Sequence, residues 1–263
     1  MLSRTKTCQW VVVKVTARKN GRVTGTAQFT VKHLMTLKAG KRDWSETVAV
    51  SAAKITGGGA KGIHMSLKAK GLGISPSTKS TTTPKVKFQS HTLGEKFSGS
   101  VSYHDSIGKK KFQRSRIQYT YHFTKPGYTF SDLPIKSQPY RCDDMFWEGR
   151  RQKHTKAAGC VFYDYTPTVS FKGLKNIAGG IKGLRNRGGH YGQPGKQRLH
   201  ITWDQRRIKD NRKAVCPASR KPPERYRRQG RTSCDEYPMA SIYEGGTYLP
   251  ANQRETTWAT PDE

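Results

Sequence analysis

The chain has 263 residues, of which 49 are Lys or Arg and 18 are Asp or Glu, so its formal net charge is +31. This length allows one large domain or two of ordinary size, and the charge indicates polyanionic partners such as nucleic acid or an anionic surface. Aromatic residues make up 10% of the chain and apolar alternation is frequent, which excludes disorder over most of it, and the lack of a long apolar run excludes a membrane-spanning helix.

The N-terminal pattern predicts a β-hairpin. Alternating valines over residues 10–15 precede Asn20-Gly21, a pair that tolerates positive φ and favours a two-residue hairpin turn. The return strand places Val23, and the apolar residues after it, on one face. Gly25 falls on the same face, which predicts a β-bulge or a close approach of another backbone.

Further strand patterns follow in the first half of the chain. Apolar and polar residues alternate at 44–55, 63–70 and 117–124, and the Ser/Thr/Pro-rich stretch 75–84 has the composition of a loop. Short strands separated by turn residues predict an antiparallel β-sandwich-like domain, of unknown role, over residues 1–137. Its Lys-rich outer faces are interpreted as solvated sheet surfaces, with polyanion contact as the alternative.

The second half, residues 138–263, mixes helical and strand patterns, so the whole chain is predicted to be α+β. Apolar residues recur at helical spacing over 174–184, although glycines weaken that helix. Asp204 is a candidate N-cap for a helix over 204–215. The stretch 196–231 contains 13 basic and three acidic residues, which is typical either of a solvated face or of a surface that binds phosphates.

Five cysteines bear on the redox environment of the chain. Cys142 with Cys160, and Cys216 with Cys234, can form two local disulfides that leave Cys8 unpaired. Such bridges require an oxidising compartment, whereas the alternative is a set of buried reduced thiols. Neither the spacing nor the N-terminus decides between them, since residues 1–15 have basic residues and a short apolar piece but lack a secretory h-region and an A-x-A site.

Residues 233–246 combine three carboxylates in a chain that is poor in acids: Asp235, Glu236 and Glu244. In a strand, Asp235 and Glu236 point to opposite faces, and Glu244 can return to the same site across the glycine pair that follows it. Ionised carboxylates suit Mg²⁺, Mn²⁺ or Ca²⁺, and one of them can take a proton from water in phosphodiester hydrolysis. The alternative is a salt-bridged acidic pair in a basic protein.

The same segment carries a family resemblance. Residues 234–246, Cys-Asp-Glu-Tyr-Pro-Met-Ala-Ser-Ile-Tyr-Glu-Gly-Gly, resemble the signature of the NucA/NucB deoxyribonucleases, including secreted actinobacterial-type members. Supporting segments are 141–143 (Arg-Cys-Asp), 159–162 (Gly-Cys-Val-Phe) and 211–216 (Asn-Arg-Lys-Ala-Val-Cys). The resemblance extends over about residues 140–255.

The resemblance implies a small, secreted ββα-metal endonuclease that cuts DNA with little sequence preference. Asp235 matches the aspartate that is implied to activate the attacking water. Glu236 matches its neighbour, with a ligand, substrate-positioning or structural role. Glu244 and Asn252 are the implied metal-site residues, for Mg²⁺ or Mn²⁺ with Ca²⁺ also possible; Asn252 lies in a weakly similar Pro-Ala-Asn-Gln-Arg segment.

Arginines in the second half are predicted to bind DNA phosphates. They are Arg206, Arg207, Arg212, Arg227, Arg228 and Arg231. Eleven residues follow Asn252, where the family continues with a longer helix and a terminal strand, so this end is expected to be shortened or altered. The alternatives to a secreted nuclease are an inactive cationic DNA- or surface-binding protein on a degenerate nuclease fold, and an intracellular nucleic-acid-associated protein with reduced thiols.

Overall fold

A computed structural model describes residues 2–75, 78–109, 111–144, 147–148, 153–154, 158–202 and 204–263, without the side chains of 147–148 and 153–154. Of the described residues 42% are in strands and 13% in helices. The predicted α+β class, with a sandwich-like first domain and a ββα-metal second domain, is therefore wrong, because the chain is mostly antiparallel β with two curled sheets.

The described residues form sixteen strands and three helices, numbered in chain order. The strands are β1 (Lys6–Lys19), β2 (Arg22–Thr36), β3 (Asp43–Val50), β4 (Lys54–Thr56), β5 (His64–Gly73), β6 (Thr82–Lys87), β7 (His91–Thr92), β8 (Phe97–Asp105), β9 (Phe112–Thr124), β10 (Leu133–Lys136), β11 (Tyr140–Asp143), β12 (Trp147–Glu148), β13 (Lys153–His154), β14 (Gly159–Val161), β15 (Ser233–Tyr237) and β16 (Glu255–Ala259). The helices are α1 (Lys175–Asn186), α2 (Gln205–Val215) and α3 (Glu224–Arg227).

The chain divides into two compact units, Met1–Pro167 and Thr168–Glu263. The N-terminal unit has two six-stranded sheets. In the first sheet the order is β1-β2-β3-β8-β6 with β4 on β2, and in the second it is β14-β11-β9-β5-β7 with β10 on β9. Inward-facing side chains of both sheets form one hydrophobic core. Residues 138–167 belong to this unit, because β11 pairs with β9.

The first hairpin forms as predicted. Asn20 and Gly21 have φ of 49° and 76°, as a two-residue turn with a right-handed twist requires. The register of β1 against β2 shifts beside Gly25, which is the predicted bulge. Gly25 also meets another backbone, since a Cβ there would lie 2.6 Å from the Ala60 nitrogen. The bulge reverses the alternation, so Val23 is 54% exposed rather than in the core.

A buried polar network crosses the core of the N-terminal unit. Glu46 on β3 accepts hydrogen bonds from the Tyr103 and Tyr119 hydroxyls, at 2.6 and 2.7 Å, and its other oxygen lies 2.5 Å from His33 Nδ1. The Tyr121 hydroxyl lies 2.7 Å from His33 Nε2. Burial, and then the nearby Glu46 carboxyl, raise the pKa of Tyr103 and Tyr121 far above the ordinary range, so both phenols stay protonated. The network joins residues of both sheets.

The C-terminal unit is built on the two-stranded sheet β15–β16. Apolar residues of α1, led by Ile177, Ile181 and Leu184, pack against it, so the helix forms despite its glycines. The Asp204 carboxylate accepts from the backbone nitrogens of Arg206 and Arg207, which confirms the predicted cap of α2. No described helix is both long and apolar enough to cross a lipid bilayer.

The ββα-metal arrangement is absent from the described part of this unit. That arrangement needs a helix after the hairpin, opening near Asn252. Instead residues Ala251–Gln253 form a single 3-10 turn, and the β-branched run in Glu255–Ala259 continues as β16 and pairs with β15. The helices α1 and α2 both precede the hairpin. The strand propensity of residues 255–259 and the free hydrogen-bonding edge of β15 therefore determine the conformation of this segment.

Both predicted disulfides form, and each lies within one unit. Cys142–Cys160 joins the paired strands β11 and β14, and Cys216–Cys234 joins the end of α2 to β15. Cys8 is in neither disulfide. The pairing of four cysteines in sequence-local bridges is consistent with an oxidising compartment.

Candidate functional site

The strand β15 presents Asp235 and Glu236 to opposite faces of the small sheet, as the alternation of a strand requires. Asp235 lies opposite Thr257, on the face covered by α1, where a Cβ on Gly180 would lie 3.0 Å from the Thr257 Cβ. Glu236 lies on the face of α2, to which β15 is bonded through Cys234. The two carboxylates therefore occupy different surroundings.

Glu236 anchors the loop that follows β15. Its side chain is only 4% exposed, and its Oε1 accepts from the Ala240 backbone nitrogen at 3.2 Å and lies 3.7 Å from Arg212 Nε. Its Oε2 is buried without a hydrogen-bond partner among the described residues. Burial raises the pKa of Glu236 above its usual value, although Arg212 opposes the shift. The sequence left a ligand, a substrate-positioning and a structural role open for Glu236, and these contacts support the structural one.

Asp235 is half-buried and makes no ion pair with a described cation. Burial raises the pKa of its carboxyl above the usual aspartate value, and the negative charge of Glu263 adds to the shift. The Glu236 backbone nitrogen and the positive charge of Arg212 act in the opposite direction. A carboxylate that is more basic than an ordinary aspartate and remains partly accessible is suited to accept a proton.

Replacing Glu236 with glutamine tests the buried charge through stability. The pKa of Glu236 is higher in the folded protein than in the unfolded chain. The protonated carboxyl therefore contributes its full stability below the unfolded-state pKa, and this contribution is lost as the pH rises through the folded-state pKa. We expect Glu236→Gln to melt near the wild-type temperature at pH 4 and above it at pH 7.5, measured by calorimetry. Glu224→Gln is the control, since its pKa is lowered by Arg227 and Arg228 and the change should not stabilise at pH 7.5.

Asn211 ties the same loop to α2 and was not singled out as a functional residue from the sequence. It is buried, and its Nδ2 donates to the Ala240 and Ile242 carbonyls at 2.8 and 2.9 Å. A Cβ on Gly245 would lie 2.8 Å from this nitrogen, and Gly246 has a φ of +66° and would meet the Asn211 Cα at 2.8 Å. The glycine pair is therefore needed for close packing. The position of Asn211 at the start of the 211–216 segment was the available signal.

Truncating Asn211 should release this loop. Asn211→Ala leaves two carbonyl oxygens without their donor, so we expect a loss of about 1–3 kcal/mol in the unfolding free energy of the C-terminal unit. Urea unfolding with hydrogen exchange over residues 238–246 measures it. Lys213→Ala, at an exposed position of the same helix, is the control and should stay within about 0.5 kcal/mol. An equal effect of both changes would contradict the anchoring role.

The predicted metal ligands do not form a common set in the described structure. Both oxygens of Glu244 are engaged with His200, one accepting from its backbone nitrogen at 3.0 Å and the other 2.6 Å from its Nδ1. These bonds hold the pKa of Glu244 below its usual value even though burial alone would raise it. Asn252 is exposed on the 3-10 turn. The sequence analysis did not predict the pairing with His200.

Among the His, Cys, Asp and Glu side chains that the structure describes, one group of three brings its ligand atoms within 4.8 Å of one another. This group is Asp105, Cys142 and Cys160, whose cysteines form a disulfide and so cannot act as thiolates. Asp235, Glu236 and Glu244 therefore do not form such a cluster with one another. Mg²⁺ commonly uses only one or two carboxylates, with water and substrate phosphates completing its shell.

The six predicted phosphate-binding arginines divide into free and engaged side chains. Arg206 and Arg212 are exposed, with only the 3.7 Å contact of Arg212 to Glu236 described. Arg227 and Arg228 both pair with Glu224 at the surface. Arg231 donates from Nε to the Trp258 carbonyl at 2.7 Å. Arg206 and Arg212 are the best placed to contact a phosphate.

Arg207 instead organises two exposed aromatic rings. Its guanidinium lies 4.9 Å from the Tyr243 ring centroid and 4.0 Å from that of Tyr248, and it donates to the Tyr243 carbonyl at 2.7 Å. Tyr243 and Tyr248 are 47% and 63% exposed. Two exposed rings held near one guanidinium form a platform on which bases can stack.

Comparisons with known proteins add no relative. No protein-family model matches the sequence, and a search of curated proteins finds no match.

Proposed function

We propose that the C-terminal unit is a secreted, metal-dependent endonuclease that hydrolyses phosphodiester bonds of DNA with little sequence preference. The observation that carries the proposal is Asp235, a partly accessible carboxyl whose pKa is raised by burial, with the positive charge of Arg212 close enough to act on it. The two disulfides support the secreted setting.

In the proposed reaction Asp235 accepts a proton from a water molecule whose oxygen attacks the phosphorus. The bond from phosphorus to the leaving ester oxygen breaks, and that oxygen takes a proton from solvent. Arg212, whose side chain is 69% exposed and lies 3.7 Å from Glu236, supplies positive charge that acts on Asp235 and offsets negative charge on the phosphate. Glu236 holds β15 and the following loop in place rather than taking part in proton transfer.

The platform of Tyr243, Arg207 and Tyr248 supports DNA binding that does not depend on the base sequence. Every base has an aromatic face, so stacking against tyrosine contributes to binding regardless of which base is present. The exposed Arg206, at the start of the helix that carries Arg207, adds a phosphate contact.

Nicking of supercoiled plasmid tests the proposal. Wild-type protein should convert supercoiled DNA to open circles in Mg²⁺ or Mn²⁺, and EDTA should abolish the conversion. Conversion in EDTA would remove the divalent ion from the proposal, and no conversion under any of these conditions would contradict hydrolysis.

A second candidate is a cationic DNA-binding protein that does not cut. The observation that favours it is the engagement of both Glu244 oxygens with His200, which leaves no assembled metal site among the described residues. It predicts that electrophoretic mobility shifts of the plasmid occur without any nicked product.

A further inference from the structure

The N-terminal unit carries a basic band on the solvent face of its second sheet. Strand alternation directs Ile117 and Tyr119 of β9 into the core and turns Arg114 and Arg116 outward. The neighbouring strands add outward cations from both sides. These are Lys68 and Lys70 on β5, Lys136 on β10 and Arg141 on β11.

Strand register brings these cations close together. Gln118 of β9 lies between Lys70 of β5 and Lys136 of β10, both of which are its direct partners. Arg116, two residues along β9, lies opposite Leu72. Neighbouring strands are about 4.8 Å apart and alternate residues recur every ~7 Å, so the charges form a closely spaced array.

Most cations of the array have no described acidic partner. Lys70, Arg116 and Lys136 form no ion pair with a described carboxylate, and Arg114 faces Arg141 directly across the strands. Of these cations Arg141 alone has an acid partner, Asp143, at 2.9 Å. Like charges held side by side on a sheet are unfavourable, and an anionic partner relieves the repulsion.

The first sheet also carries clustered outward cations. Gln28 of β2 lies between Lys14 of β1 and Lys54 of β4, both of which are its direct partners, and Lys19 lies opposite Arg22. Two further lysines face neutral residues, Lys32 opposite Trp10 and Lys87 opposite Ser100. Charge density alone therefore does not distinguish the two sheets.

A groove lies within the basic band, beside Arg116. It has a volume of about 330 Å³, and its walls combine the cations Arg116 and Lys136 with the apolar side chains Leu72 and Ile74. Four residues from Arg116 along β9, Phe112 is 53% exposed, and the Arg141 guanidinium lies 4.7 Å from its ring centroid. Cations that track a backbone, beside apolar and aromatic surfaces that accept bases, are the features of a single-strand binding surface.

We propose that this basic band binds single-stranded DNA, with Lys70, Arg116 and Lys136 contacting phosphates and the groove accepting a base. The site is separate from Asp235 and lies in the other unit, so it does not depend on DNA cleavage. Charge complementarity and the apolar groove favour a nucleic-acid strand over a polyanion that lacks bases.

Fluorescence anisotropy of the full chain with a labelled 20-nucleotide single strand tests the site, in EDTA and with strand integrity checked on a gel. The test variant is Lys70→Gln, Arg116→Gln, Lys136→Gln. The matched control, Lys14→Gln, Lys32→Gln, Lys87→Gln, removes the same charge from the first sheet. We expect the test variant to lose about 100-fold in affinity at 50 mM salt and its log–log salt slope to fall by about 2, at about 0.7 per phosphate contact.

The control should bind within about threefold of wild type, and circular dichroism should show both variants folded. Equal losses in the two variants would overturn the proposal, because net charge alone would then explain binding. A test variant that keeps its affinity for the single strand but loses affinity for duplex DNA or a heparin fragment would also overturn it, in favour of those partners.

Discussion

Asp235→Asn should lower the rate of plasmid nicking by about 10²–10⁴-fold, the range that a positioned general base contributes. Asparagine keeps the size of the side chain but cannot accept the proton of the attacking water. Asp235 is half-buried with a pKa raised by burial, so removal of its charge should not destabilise the fold at neutral pH. The rate should fall while melting temperature and DNA affinity stay near their wild-type values.

Asp210→Asn is the matched control, because Asp210 is exposed on α2 and the substitution is chemically identical. It should nick plasmid at the wild-type rate. Equal nicking by Asp235→Asn and wild type would contradict the assignment of the base, and a variant that binds DNA less tightly would point to a binding role instead. Because burial raises the pKa of Asp235, the acid limb of the rate profile should lie at higher pH than for an ordinary aspartate.

Glu46→Ala should destabilise the N-terminal unit by about 3–5 kcal/mol, the largest stability effect that we expect from a single substitution. Glu46 is 1% exposed and accepts hydrogen bonds from Tyr103 and Tyr119 while facing His33. Alanine leaves a cavity and removes the acceptor from all three groups. Urea unfolding, followed by hydrogen exchange in β3 and β9, measures the loss.

Two further variants test whether the loss of stability in Glu46→Ala comes from the buried hydrogen bonds. Glu46→Gln retains the volume and one acceptor oxygen, so its loss should be smaller than that of Glu46→Ala. Glu95→Ala removes an exposed carboxylate from the same unit and should change stability by less than about 0.5 kcal/mol. A small effect of Glu46→Ala would show that the network is not what joins the two sheets.

Local sequence signals predicted the parts of this fold that depend on neighbouring residues. Asn20-Gly21 predicted the turn of the first hairpin, and Asp204 predicted the N-terminal cap of α2. Gly25 marked a bulge, but only the structure showed that the bulge moves Val23 to the surface. The reason is that a one-residue insertion reverses the faces of all residues on its far side.

The second domain shows where local reasoning fails. A resemblance in residues 234–246 implied a helix after the hairpin, whereas the final segment forms β16 because β15 offers it a pairing edge. Similarly, Glu244 matched a metal-site residue by position, but its partner His200 lies 44 residues earlier in the chain. Contacts between such distant segments depend on the packing of the whole unit.

By itself the sequence determined the strong positive charge, the antiparallel strands of the first half, the two disulfide pairs as one of two readings, and the acidic segment at Asp235-Glu236. The tertiary structure alone decided that Asp235 and Glu236 have different surroundings, that Asn211 holds their loop, and that a groove lies beside Arg116 and Lys136. The physical reason is that alternation and turn chemistry act within a few residues, whereas burial, pKa and strand register depend on which distant segments pack together.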